Sequence, residues 1–170
     1  MTINQIGKSL GRSLLKRGID ILGASVKLNP VEMASSEARG IIEGYFPSAK
    51  IVFMDNKYRT INLAEWKEID DEIYNITKKQ WEAEVWDCDD KAYTHKYWTL
   101  RIFGIPQFAI YGKVYDANNG KLMFYHLFNG RIADGKVYIY EPESGGLLVE
   151  ATKDKVQIGG RIYEPLTVEF

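Results

Sequence analysis

Over the first hundred residues apolar positions recur mostly at three- and four-residue intervals, and beyond residue 107 they fall into short runs broken by turn residues. The first pattern predicts amphipathic helices and the second predicts strands. A helix is expected from Val31 to Tyr45, after a break at Asn29-Pro30 and ended by Phe46-Pro47-Ser48. Ile51–Phe53 and Tyr58–Ile61 read as two short strands joined as a hairpin around Asp55-Asn56. Asn62 then caps a helix through about Ile73, with Glu65 placed as the reciprocal capping partner. Thr77 to Val85 predicts another helix, and a longer one begins at Asp87 or Cys88 and runs to about Phe103, where Gly104-Ile105-Pro106 stops it.

The β pattern follows as Phe108–Tyr115, Leu122–Asn129 and Lys136–Tyr140. Asp116-Ala117-Asn118-Asn119-Gly120 and Asp134-Gly135 supply the turns. Two further strands, about 155–158 and 161–168, meet through Gly159-Gly160. Helices first and strands after give an α+β fold class, with N-terminal helices packed on a C-terminal antiparallel sheet. Residues 1–27 stand apart as an amphipathic arm, and residues 28–170 form the domain. In the arm, Ile3, Ile6, Leu10, Leu14 and Ile21 share helical spacing among Lys8, Arg12, Lys16 and Arg17. Such an arm suits docking on a partner protein.

Length and composition narrow the classes. The 170 residues, 45% hydrophobic and 13% aromatic, suffice for one domain with a substantial core. A formal charge of −1 gives no basic face for nucleic acid. Without a long apolar window no membrane span is expected, and the basic residues of the arm break any signal-peptide run. These point to a cytoplasmic or assembly-associated protein. The single cysteine excludes an internal disulfide and a cysteine-based zinc site.

That cysteine carries the candidate chemistry. Cys88 sits in Trp86-Asp87-Cys88-Asp89-Asp90, at the predicted start of a helix. Partial positive charge at a helix N-terminus favours a thiolate, and the three neighbouring carboxylates oppose it. A divalent cation would resolve the conflict, so Ca²⁺ or Mn²⁺ held by Asp89 and Asp90 is expected, with no organic cofactor. Two histidines compete as proton acceptor. His95, seven residues on in the same helix, lies about 10 Å along the axis, which is too far, and reads as surface or groove-lining. His126, in a strand, can be brought to the sulfur. Glu141, ahead of Pro142 at a strand's edge, can orient the imidazole, with Glu143 as competitor on the same side. An oxyanion site would use the Cys88 backbone N–H and, as a weak candidate, Gln80.

Three segments resemble a known group: Trp86 to Ala92, His126-Leu127-Phe128-Asn129, and Gly135 to Pro142. Together they look like the transglutaminase-like branch of the papain-like fold, with glutamate at 141 where that family has aspartate. They are more similar still to the papain-like C-terminal domain of Marasmius oreades-type agglutinins. This resemblance implies a cysteine-dependent amide or peptide hydrolase, or an acyltransferase, using Cys88, His126 and Glu141 with calcium or manganese. Its substrate would be a peptide or isopeptide. The agglutinins' lectin module has no counterpart here, so the resemblance does not extend to sugar binding. The alternative is a non-catalytic structural or binding protein of a larger assembly, such as a phage or virus particle, on the same fold.

Overall fold

The computed structural model describes residues 17, 18, 20–23, 25–53, 55–77, 87–142 and 146–170. The helix expected at Thr77–Val85, the weak oxyanion candidate Gln80, Glu143 and most of the arm lie outside those residues. Where the arm is described, Ile21 is exposed, and Gly23 approaches the backbone of Ile102 so closely that a Cβ there would meet its carbonyl oxygen at 2.8 Å.

Three helices and nine strands make up the described fold. A short strand, β1 (Val31–Ala34), leads into α1 (Ser35–Tyr45), followed by β2 (Lys50–Val52) and β3 (Lys57–Thr60). Helices α2 (Leu63–Thr77) and α3 (Cys88–Phe103) come next. The remaining strands are β4 (Phe108–Asp116), β5 (Leu122–Ala133), β6 (Lys136–Glu141), β7 (Leu147–Glu150), β8 (Val156–Ile158) and β9 (Arg161–Glu169).

The local signals at the helix ends have visible causes. At the start of α2 the Glu65 N–H donates to Asn62 Oδ1 at 2.9 Å, and the Asn62 N–H donates to Glu65 Oε2 at 3.1 Å, a reciprocal capping box. The other oxygen of Glu65 accepts from the Asn29 backbone and side chain, tying residue 29 to the helix start. Gly104 closes α3 in the left-handed region (φ 69°), where a side chain would be strained.

The strand pairing corrects the expected fold class. A seven-stranded mixed sheet runs β2-β9-β4-β5-β6-β7, with β8 added on β9, and a separate two-stranded sheet joins β1 to β3. The fold is thus a β-rich one with a large mixed sheet, not N-terminal helices on a purely antiparallel one. The hairpin expected around Asp55-Asn56 does not form. Instead Lys50 pairs with Thr167 in a parallel ladder, and Tyr58 pairs with Met33 in an antiparallel one. Val31–Ala34, expected as helix, is extended because it supplies that partner. Strand β7 is an element the sequence reading did not contain.

The core lies on both faces of this sheet. On one, Ala38 and Ile42 of α1, with Phe46 just after it, pack on Phe108, Ile110, Phe128, Ile139 and Val168. On the other, α2 covers the sheet through Trp66, Ile69 and Ile73, joined by Ile105 after α3, and α3 through Ala92 against Ala109 and Leu127. Burial of such side chains contributes roughly 1.5–3 kcal/mol each relative to exposure. Among the described residues no helix is long and apolar enough to cross a membrane.

Candidate functional site

Helix α3 begins where β5 loses its β6 neighbour, and that corner holds the site. Strand β5 pairs with β4 from Leu122 to Gly130 but with β6 only from Asn129 to Ala133. Asn129 Nδ2 donates to the Ala92 carbonyl at 3.0 Å and locks the first turns of α3 over β5. The helix starts at Cys88 with Asp87 as its N-cap, which makes no side-chain cap bond.

The structure brings Cys88, His126 and Glu141 together. His126 is 3% exposed and Glu141 is fully buried, and Nε2 of the ring lies 2.7 Å from Oε2 of the carboxylate. The half-buried Cys88 side chain lies close enough to the ring to favour its protonated form. Burial disfavours charge on the ring, but the Cys88 side chain and the hydrogen-bonded Glu141 carboxylate beside it outweigh that. The imidazole is pushed up to about 9 and carries a proton at neutral pH. The array therefore holds a charged, hydrogen-bonding donor against a sulfur and can anchor a polar or electrophilic group.

The array opens on a cleft of about 330 Å³ lined by Cys88, Asp89, Tyr93, Tyr111, Tyr125, His126 and Leu127. Three tyrosines, each at least two-fifths exposed, form its walls. Tyr111 and Tyr125 stack on each other with ring centroids 5.7 Å apart and planes 8° off parallel. They share a face because Tyr111 and Tyr125 flank Leu127 across neighbouring strands, Tyr111 pairing with Leu127 directly. The sequence reading missed these tyrosines. For Tyr125 the signal was the run Leu122-Met123-Phe124-Tyr125, four consecutive apolar or aromatic residues, which the structure leaves exposed where β5 lacks its second neighbour.

Of the residues expected to hold a cation, Asp89 lies at the site, and its ligand atoms fall within 4.8 Å of those of Asp87 and Cys88. Asp90 is exposed and outside this group. Asp89 is raised from its ordinary value, first by a hydrogen bond with Asp87, then by burial and the charges of Asp87 and Asp90. The two carboxylates suit a hard divalent cation such as Ca²⁺ or Mn²⁺ in donor type, whereas the Cys88 sulfur is a soft donor that does not.

His95 is not a surface residue. It shares the inner face of α3 with Ala92 and Thr99 and is fully buried. Burial and the Arg131 charge hold it well below the ordinary histidine value, so it is neutral. Its ring lies against Tyr140 with centroids 4.3 Å apart.

No family model matches the chain, and no curated protein matches it. Solved structures do. One titled "PSL1a-E64 complex" superposes at TM-score 0.59 with 16% identity, covering 82% of this chain and 51% of that one. A Polyporus squamosus lectin, bound to the human-type influenza-binding epitope Neu5Aca2-6Galb1-4GlcNAc, superposes at 0.58 with 15% identity, over 82% and 49%. The chain thus spans about half the length of the structures whose fold it shares. These neighbours correct the family resemblance: a lectin stands where a papain-like or transglutaminase-like enzyme was expected, and the link to Marasmius oreades-type agglutinins is not found. The reading as a cysteine-dependent amide hydrolase or acyltransferase with a catalytic triad, and its peptide or isopeptide substrate, falls with that resemblance.

Proposed function

We propose that this chain is a binding protein whose ligand seats in the tyrosine-walled cleft, with Cys88, His126 and Glu141 as its polar anchor. The observation that carries this reading is the convergence of a protonated, buried imidazole and an accessible thiol at one end of an open aromatic cleft. Aromatic side chains supply rigid contact area, and a few placed polar groups fix orientation, which is the usual division of labour in a small-ligand site. The structural neighbours are described with bound molecules of two kinds, E64 and a sialylated trisaccharide, and both serve as probes here.

The test is protection of the thiol. Cys88 is alkylated with iodoacetamide at neutral pH with and without each probe, and the adduct is read by intact mass. A ligand seated in the cleft slows alkylation in the wild type, and the protection is lost in Tyr111→Ala and Tyr125→Ala. Absence of protection by either probe, or protection that survives loss of both tyrosines, would remove the cleft as the binding site.

A further inference from the structure

Behind the cleft lies a second group of polar side chains that the binding reading does not use. Arg131 is fully buried, and its guanidinium sits between the rings of Trp66 and Tyr140, 4.5 and 4.6 Å from their centroids. One amino group pairs with buried Asp70, and the other donates to Gln107 Oε1 at 2.9 Å. The amide nitrogen of Gln107 donates to His95 Nδ1 at 2.7 Å and to Thr99 Oγ1 at 3.3 Å. That bond sets the ring with its proton on Nε2, which faces Asp70 Oδ1 at 3.7 Å.

The connections are specific in where they lead. His95 and Cys88 stand on the same helix, α3; Arg131 and His126 stand on the same strand, β5; Tyr140 immediately precedes Glu141 on β6. Each element that carries Cys88, His126 or Glu141 is therefore gripped once more by this array. Asp70 and Trp66 add α2, and Gln107 adds the segment between α3 and β4. A core needing only to be filled would do so with apolar residues, since burying an ion pair is rarely favourable over hydrophobic packing. A network whose members have fixed directions instead specifies one relative placement of the elements it joins.

We infer that Asp70, Arg131, Gln107 and His95 are positioning residues that hold α3, β5 and β6 in the register at which Cys88, His126 and Glu141 meet. This deepens the binding reading, since it concerns the same cleft, but it is tested without any ligand.

Gln107 is the residue to change, because it is the neutral link and its loss strands no charge. In Gln107→Leu the ring ¹⁵N shifts of His126 at neutral pH move from the protonated toward the neutral pattern. Cys88 alkylation by iodoacetamide then slows about tenfold, the ratio that 1.4 kcal/mol produces. Gln107→Glu keeps an acceptor for Arg131 and restores most of both readouts. Ile73→Val, which thins the adjoining apolar cluster, lowers stability and moves neither. Thr99→Val gives the same directions as Gln107→Leu with smaller size, and it decides the matter where Gln107→Leu does not fold. Unchanged His126 shifts and alkylation in folded Gln107→Leu, or in Thr99→Val when the former is unfolded, would overturn the inference and leave the array a structural one. Failure of both probes to protect Cys88 would remove the binding reading and leave these outcomes untouched.

Discussion

His126 and Glu141 come from different strands, fifteen positions apart, and meet at 2.7 Å in a place that water scarcely reaches. The pair makes the ring's charge a part of the fold's stability.

The folded imidazole titrates at about 9, against about 6.5 in an unfolded chain. Below pH 6.5 both states are protonated and the stabilisation from the pair is fully present. Between 6.5 and 9 the unfolded state releases its proton first, so stability falls as pH rises, by at most about 3 kcal/mol in all. Urea melts from pH 6 to 9.5 check this. In Glu141→Gln the slope across that window is much reduced, while the absolute stability at pH 6 is lower.

Arg131 and Asp70 give a titration of the same sign at lower pH. Burial raises Asp70 to about 6 against the lowering pull of Arg131, so a protonated Asp70 is within reach. Arg131→Met leaves the carboxylate buried without its partner, which costs about 3–5 kcal/mol at pH 8. Because the native state of the variant binds a proton more readily than the unfolded state, the loss shrinks toward pH 5. Thermal unfolding of both proteins at pH 5 and pH 8 measures the difference.

Gly112 pairs with His126 across β4 and β5, and lies where the β4–β9 register shifts. A Cβ there would meet the Glu164 carbonyl oxygen at 2.6 Å and the Phe128 ring at 3.2 Å. Backbone cannot move aside as a flexible side chain can. Gly112→Ala is expected to lose about 1–3 kcal/mol, and in the folded fraction the amide resonance of His126 shifts. Chemical denaturation with a ¹⁵N spectrum tests both.

The sequence was informative where the cause is local. Asn62 and Glu65 announce their capping box through spacing alone, and Gly104 its helix stop. Cys88 and His126 were singled out because the chain has one cysteine and two histidines, and Glu141 by its place ahead of Pro142; the structure sets His126 against Glu141. What was illegible depends on partners distant in the chain. Asp55-Asn56 looks like a hairpin turn, and nothing near it says that β2 pairs with β9 and β3 with β1. His95 was misplaced because its polarity was weighed above its position beside Ala92 and Thr99, and the residues that make its burial tolerable, Gln107 and Arg131, lie on other elements. The fold class and the family resemblance failed for the same reason: they followed the order of elements, whereas the fold follows their pairing.

Strand β9 is hydrogen-bonded to β2, β4 and β8, with Lys50 beside Thr167 in a parallel ladder. On a ribosome, β2 is made long before the strand it must lie against. The first half of the polypeptide therefore waits, with one sheet margin unmatched, until residues 161–169 have left the exit tunnel. Assembly of this sheet is a late event of biosynthesis, and a stall anywhere before β9 leaves a nascent chain that can collapse but cannot close.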